Sequence, residues 1–477
     1  MRESISVSVN VPFWLLVLLI VLAALSVLDR LLVPSVRWFF RRRVSRVLEE
    51  VSQHLDIKIE PFRLTKREVL IDRLLYDQQV MEAAEAHSRE NDMPREVVMA
   101  TVERYAREIV PGFNAYFYFR IGAWMARRSA QLLYRVRLGF SDEEGLAAIE
   151  PKSTVVFVMN HRSNMDYVLV GYLAASRTAL SYAVGEWARV WPLQALIRSM
   201  GAYFVRRSSR NPLYRRVLAR YIHMATAGGV TQAMFPEGGL TLDGALREPK
   251  KGLLDYMLRS FDPEGERDLV FVPVGVNYDR VLEDRTLMLD LDEGASRPAA
   301  LRSAVTTAGF ALRNLGQMFT GRWHRFGYAC VNFGTPLSMR RYCRERELRP
   351  AELSRDDRFV VVGEVADELM AALSSIIPVV PVSVVATVFQ DASRAQTELE
   401  IKAAAQSLMA DLESRGVRIY IPRQDREYSI DVGLRMLTLR HIVEEHDGLY
   451  SVVTEEQALL AYYANSIAHH SEDCQVP

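Results

Sequence analysis

The chain has 477 residues, with 59 Lys and Arg balancing 59 Asp and Glu, and 49% of it is hydrophobic. A net charge of zero supplies no global attraction to nucleic acid, and the composition is that of a folded protein long enough for more than one domain. Cys330, Cys343 and Cys474 are scattered, with no Cys-x-x-Cys and no His-rich cluster beside them; this argues against a disulfide framework or a zinc site and fits a reducing compartment.

The N-terminus departs from this plain composition. Residues 11–28, VPFWLLVLLIVLAALSVL, form an uncharged run of the length at which a helix crosses a bilayer. Arg37, Arg41, Arg42, Arg43 and Arg46 follow it, and Trp38, Phe39 and Phe40 suit the membrane–water interface. The positive-inside rule then puts the bulk of the protein on the cytoplasmic side. A signal peptide is the competing reading, but Arg2 sits beside Glu3 and no small-residue cleavage site precedes the arginines. A buried core helix and an anchor that dips in without crossing also remain open.

Residues 44–138 are expected to be mostly helical, since RVSRVLEEVSQHL, REVLIDRLLYDQQVMEAAEAH and PREVVMATVERYAREIV repeat apolar residues at three- and four-residue steps. Residues 112–134 read as another helix, apolar, aromatic and dotted with arginine, suited to lie on a membrane or a sheet. Strands are then predicted at 154–159, 180–184, 202–206, 229–235, 269–278 and 328–333. Helical patterns at 166–175, 192–200, 213–227 and 253–259 separate them. The alternation implies an α/β fold, a mixed central sheet covered by helices, with helical N- and C-terminal regions and an N-terminal membrane segment. The expected division is a membrane anchor at 1–43, a helical region at 44–145, a catalytic domain at 146–340 and a helical C-terminal region at 341–477.

In VVFVMNHRSNMDYVLV an apolar run breaks into Asn160, His161, Arg162, Ser163, Asn164 and Asp166 before a second apolar run. The first run is a core strand, and the knot is the turn at its C-terminal end, where open α/β sheets carry their sites. His161 just before the helix and Asp166 in its first turn lie within reach of each other. Such a pair makes a general base, the carboxylate holding the imidazole in one tautomer while its free nitrogen takes a proton. Read locally, a plainer role competes: Ser163 and Asp166 have the form of a capping box, with His161 a polar turn residue. Further on, GAYFVRR runs a strand into Arg206 and Arg207, a fork for phosphate or simply a solvated strand end. FPEGGLTLDG ends a strand in Glu237 and two glycines that admit close backbone approach, or else a plain turn. VFVPVGVNYDR holds Pro273 inside an apolar strand, where proline is normally excluded.

Taken in order, NHRSNMD, GAYFVRR, FPEGG and FVPVGV resemble the four blocks of the glycerolipid acyltransferases, whose first block is His-x4-Asp; the closest resemblance is to the membrane-bound glycerol-3-phosphate acyltransferases of bacterial and mitochondrial type. The resemblance implies His161 as catalytic base and Asp166 as its partner. It implies that Phe204, Arg206 and Arg207 belong to a phosphate-binding block, and that Glu237, Gly238 and Thr241 bind the acyl acceptor. Pro273 is implied to lie on the acyl-donor side. The implied reaction moves a fatty acyl group from acyl-CoA or acyl-ACP to the sn-1 hydroxyl of glycerol 3-phosphate, the first step of phospholipid synthesis, with no metal or bound cofactor, at the bacterial inner membrane. In the third block, Leu240 and Leu242 stand where the enterobacterial pattern has arginines, with Arg247, Lys250 and Lys251 close behind. Lysophosphatidate and dihydroxyacetone phosphate therefore stay open as acceptors. A hydrolase lacks its G-x-S-x-G elbow here, and a non-catalytic membrane scaffold has no chemical need of a histidine–aspartate pair.

Overall fold

The computed structural model describes residues 61–174, 179–185, 193–206, 209, 211–259, 261–291 and 325–471. The expected membrane segment at 1–43 lies outside them. Among the described residues no helix is long and apolar enough to cross a membrane.

At the centre is a mixed sheet in the order β1-β7-β6-β2-β5-β3-β4, with β8 also paired to β6. Its strands are β1 (Arg135–Ser141), β2 (Thr154–Met159), β3 (Ser181–Val184), β4 (Tyr203–Phe204), β5 (Gln232–Met234), β6 (Leu269–Tyr278), β7 (Tyr328–Phe333) and β8 (Leu337–Ser338). The β4-β3-β5-β2-β6 half is parallel, whereas β7 and β8 run antiparallel to β6. β2, β6 and β7 span the ranges predicted for them because each is covered on both faces of the sheet, which makes it a mostly apolar run. All ten residues of β6 are buried.

The two faces sort by side-chain parity. Val156, Val158, Leu269 and Phe271 pack beneath the helices Arg95–Ile109, Pro212–Ala227, Gly252–Leu258 and Arg355–Ile376. Phe157, Met159, Val272, Val274 and Val276 pack on the other side with the helices Met165–Ala174, Pro381–Gln390 and Gln457–Ala464. Each fully buried aliphatic or Phe side chain adds roughly 1.5–3 kcal/mol. The chain beyond residue 340 is thus built onto both faces of the sheet.

Two expectations need correction. Residues 135–141 form β1, not the end of a helix: it is a half-exposed edge strand, and its Arg-Val-Arg-Leu alternation carries too little apolar signal to separate it from the helix before it. The C-terminal region is not purely helical, since β9 (Gln396–Thr397), β10 (Val443–His446) and β11 (Leu449–Val452) make a small antiparallel sheet. Asp447 and Gly448 turn the β10–β11 hairpin with φ of 52° and 78°, the pair of positive angles that two-residue hairpin turns need.

Candidate active site

β2 delivers its C-terminal turn to the middle of the sheet, and Asn160 fastens it there. The Asn160 amide donates to the Val276 carbonyl at 2.8 Å and accepts from the Val276 N–H at 2.8 Å, extending the β2–β6 ladder by one side chain. His161 follows and is held through its backbone: its N–H donates to Glu237 Oε1 at 2.7 Å, and its carbonyl accepts from the Thr241 N–H at 3.0 Å. The turn after β5 is therefore stitched to both sides of the histidine.

The imidazole is 1% exposed and Asp166 is fully buried. His161 Nδ1 lies 3.0 Å from Asp166 Oδ2, and the same oxygen accepts the N–H groups of Arg162 (2.8 Å) and Ser163 (3.0 Å). The Tyr278 hydroxyl, from the end of β6, donates to Asp166 Oδ1. A carboxylate with this many donors is an acceptor throughout, so Nδ1 carries the proton and Nε2 keeps its lone pair. The ring stacks on Phe235, with centroids 3.9 Å apart and planes 23° apart, and meets the edge of Tyr167.

Ser163 and Asp166 only half fulfil the capping box. Ser163 Oγ accepts from Met165 N–H at 3.1 Å and donates to Glu283 Oε2 at 2.7 Å, while Asp166 receives the Ser163 N–H. Glu283 also takes the backbone and side-chain N–H groups of Asn164 at 3.2 and 3.1 Å, and burial pushes its carboxyl up. Asp166 thus caps and orients at once. The two local readings of this turn are compatible.

The other residues singled out from the sequence divide. Glu237 is 2% exposed and spends both oxygens on backbone, accepting His161 N–H and, at 3.2 Å, Arg247 N–H; burial raises its carboxyl to about 7. It braces the turn. Thr241 Oγ1 donates within its own loop and accepts from Gly244 N–H at 3.1 Å. Gly238 sits at φ +70°, and a Cβ there would come 2.6 Å from the Lys250 side chain. Pro273 is buried opposite Val158; its carbonyl accepts from Gly334 N–H at 2.9 Å, so its missing donor faces the break between β8 and β7, where β6 has no ladder partner.

The second block reads differently from its sequence. Phe204 is a core side chain with no exposure. Arg206 is a fork, but Glu108 fills it, with Nε–Oε1 at 2.9 Å and Nη2–Oε2 at 2.6 Å, and Tyr105 and Tyr214 flank the guanidinium. That carboxylate raises the arginine's pKa. In this structure the partner of Arg206 is therefore a carboxylate on a helix nearly a hundred residues upstream. Arg207 lies outside the described residues. Leu240 and Leu242 pack against the core, and the Arg247 guanidinium donates to the Leu240 carbonyl at 3.3 Å. Tyr278, Asn160 and Glu283 are site residues that sequence reasoning missed; Tyr278 is 112 positions from Asp166, and no local pattern couples them.

Beside this centre lies a cavity of about 1040 Å³. Phe235, whose ring stacks on His161, and Gly238 with Lys250 line one part of it. Among the described residues no three His, Cys, Asp or Glu side chains gather to hold a metal ion.

Two family models match the chain: Acyltransferase over residues 141–277, which contains the histidine–aspartate turn, and the glycerol-3-phosphate acyltransferase C-terminal region over 314–471. The chain is similar to glycerol-3-phosphate acyltransferases over both of these regions. Among curated relatives named glycerol-3-phosphate acyltransferase, that of Pseudomonas putida is 25% identical over 450 residues, covering 90% of this chain and 52% of its own length. The Pseudomonas syringae relative is 30% identical over 293 residues, covering 59% of this chain and 33% of its own. The chain spans about half the length of the curated relatives it matches. A solved 1-acyl-sn-glycerophosphate acyltransferase from Thermotoga maritima aligns at 18% identity with a TM-score of 0.30, over 53% of this chain and 80% of that one.

The acyltransferase C-terminal region is in direct contact with the site. Tyr462 lies under the Arg162 guanidinium at 4.7 Å, and Asn465 donates to the Asp243 carbonyl at 3.0 Å. Gly244, at φ +88°, leaves so little room that a Cβ would fall 1.9 Å from the Tyr462 carbonyl oxygen.

Proposed function

We propose that this protein transfers a fatty acyl group from an acyl thioester to the sn-1 hydroxyl of glycerol 3-phosphate, giving lysophosphatidate. The observation that carries the reading is the His161–Asp166 pair, 3.0 Å apart and shielded from water, with every Asp166 contact favouring the acceptor role. His161 Nε2 takes the hydroxyl proton as the oxygen attacks the thioester carbonyl. The new C–O bond forms, the C–S bond breaks, and the departing thiolate receives the proton from the imidazolium. No acyl-enzyme forms. Backbone clamping by Glu237 and Thr241 fixes the histidine, so the substrates and not the base must be brought into line.

The acceptor's phosphate is assigned to Arg207 together with Lys250, which borders the cavity beside Gly238. The names of the curated relatives support glycerol 3-phosphate as acceptor. Membrane attachment through residues 1–43, with the catalytic region on the cytoplasmic side of a bacterial inner membrane, belongs to the same proposal and suits a lipid product. The test is an assay of the purified chain with palmitoyl-CoA, offering glycerol 3-phosphate and lysophosphatidate separately. Lysophosphatidate formed from the first, and no phosphatidate from the second, is the expected outcome. The reverse pattern would move the acceptor to a lysolipid.

A further inference from the structure

The cavity beside the site is larger than the acceptor requires. At about 1040 Å³ it stands at the top of the roughly 300–1,000 Å³ in which drug-sized ligands bind, far beyond the needs of a three-carbon phosphate. Its walls are also basic. Asp255 is the one carboxylate among its described lining residues, and it is taken by Arg259 and, at 3.0 Å, by Arg358. Arg206 is taken by Glu108. No ion pair with a described carboxylate engages Arg215, Arg216, Lys250, Lys251 or Arg355, which line the same cavity. These five cations, none ion-paired to a described carboxylate, gather positive charge along one concave site.

The cations have separate origins. Lys250 lies against Gly238, next to the turn that holds His161. Arg215 and Arg216 come from the helix Pro212–Ala227, and Arg355 opens the helix Arg355–Ile376 of the C-terminal region. Lys251, Arg355 and Phe359 also line an adjoining cavity of about 630 Å³, whose other walls include Asp356, Glu364 and Asp367. The basic surface therefore ends at Lys251 and Arg355.

Resting on the acyl-transfer reading, we infer that Lys251, Arg355, Arg215 and Arg216 form the seat of the nucleotide phosphates of a coenzyme A thioester. The donor lies along the cavity, its thioester toward Phe235 and His161 and its phosphates on the basic wall. A ligand with several phosphates matches both the volume of the cavity and its cation count; one phosphodiester on an acidic carrier protein would leave most of these cations unmatched. The C-terminal region thereby takes part in donor recognition as well as in supporting the sheet.

Steady-state kinetics of the full chain, with the Lys251→Ala/Arg355→Ala variant, test the assignment. The expected result is a KM for palmitoyl-CoA raised about tenfold or more, as loss of charge-assisted phosphate contacts dictates. The KM for glycerol 3-phosphate stays unchanged, and palmitoyl-pantetheine, which has no phosphates, serves both proteins equally. Calorimetric titration with CoA itself reads the same site without turnover, so the inference is tested even if the acceptor proves to be another alcohol. Unchanged CoA affinity in a variant with wild-type melting overturns it. So does a KM that rises for palmitoyl-ACP and not for palmitoyl-CoA, which would make the wall a docking face for an acidic protein.

Discussion

Replacing Glu237 by glutamine separates what this carboxylate does for the fold from what it does for the site. Burial lifts its pKa from the ordinary 4.5 to about 7, so between those values the folded chain holds a proton that the unfolded chain has released. Stability must therefore fall as pH rises through that window and level off above it. A unit of pKa difference is worth about 1.36 kcal/mol, so the whole effect is about 3 kcal/mol, of which about 2.5 kcal/mol falls between about pH 5 and pH 8.5. Glutamine resembles the protonated acid at every pH and lacks this slope. In urea unfolding at a series of pH values, Glu237→Gln is expected to match the wild type within a constant offset near pH 5 and to gain about 2.5 kcal/mol on it by about pH 8.5. Asp279, also buried and raised to about 7, remains in both proteins and cancels. The variant should nevertheless turn over more slowly, because an amide offers one acceptor to the two N–H groups of His161 and Arg247. Parallel stability curves for the two proteins would refute the reasoning.

Tyr278→Phe removes the hydroxyl that donates to Asp166 Oδ1 and should lower kcat about tenfold or more while leaving both KM values near wild type, since a hydrogen bond to a charged group is worth about 1.5–3 kcal/mol. Arg206→Ala should lower the melting temperature by stranding Glu108, with little change in either KM, whereas Arg207→Ala should raise the KM for glycerol 3-phosphate specifically; equal effects on both substrates from Arg207→Ala would make that residue structural. Gly244→Ala should prevent normal folding, or detach the C-terminal helix from the site, because its Cβ has no space beside Tyr462 and its φ of +88° disfavours any side chain; a wild-type melting curve would show that the loop gives way.

The parts of this fold that are legible in the sequence are those whose signal is local and whose environment is uniform. β2, β6 and β7 announce themselves because burial on both faces leaves mostly apolar residues. β4, two residues long, is marked mainly by its neighbours, and β1 hides because a half-exposed edge strand with arginines differs little from an amphipathic helix. The β10–β11 hairpin did carry a readable sign, an Asp-Gly between short alternating runs, which the helical periodicity around it obscures. His161 and Asp166 are legible as a pair because five positions and one bend bring them together. Tyr278, Glu283 and the Asn160–Val276 bonds are not, since each is made by the return of a distant strand or loop to the end of β2. Arg206 shows the opposite failure: its residue type and place suggest an open fork, and only the packed helix Arg95–Ile109 reveals that Glu108 fills it.

The account stands most directly on His161 as the base. His161→Ala, purified and shown by circular dichroism and thermal melting to be folded, is to be assayed for acyl transfer from palmitoyl-CoA to glycerol 3-phosphate at saturating concentrations of both. The account predicts a fall in kcat on the order of a hundred- to ten-thousand-fold, with CoA affinity retained. Turnover within a few-fold of wild type in the folded variant would contradict it.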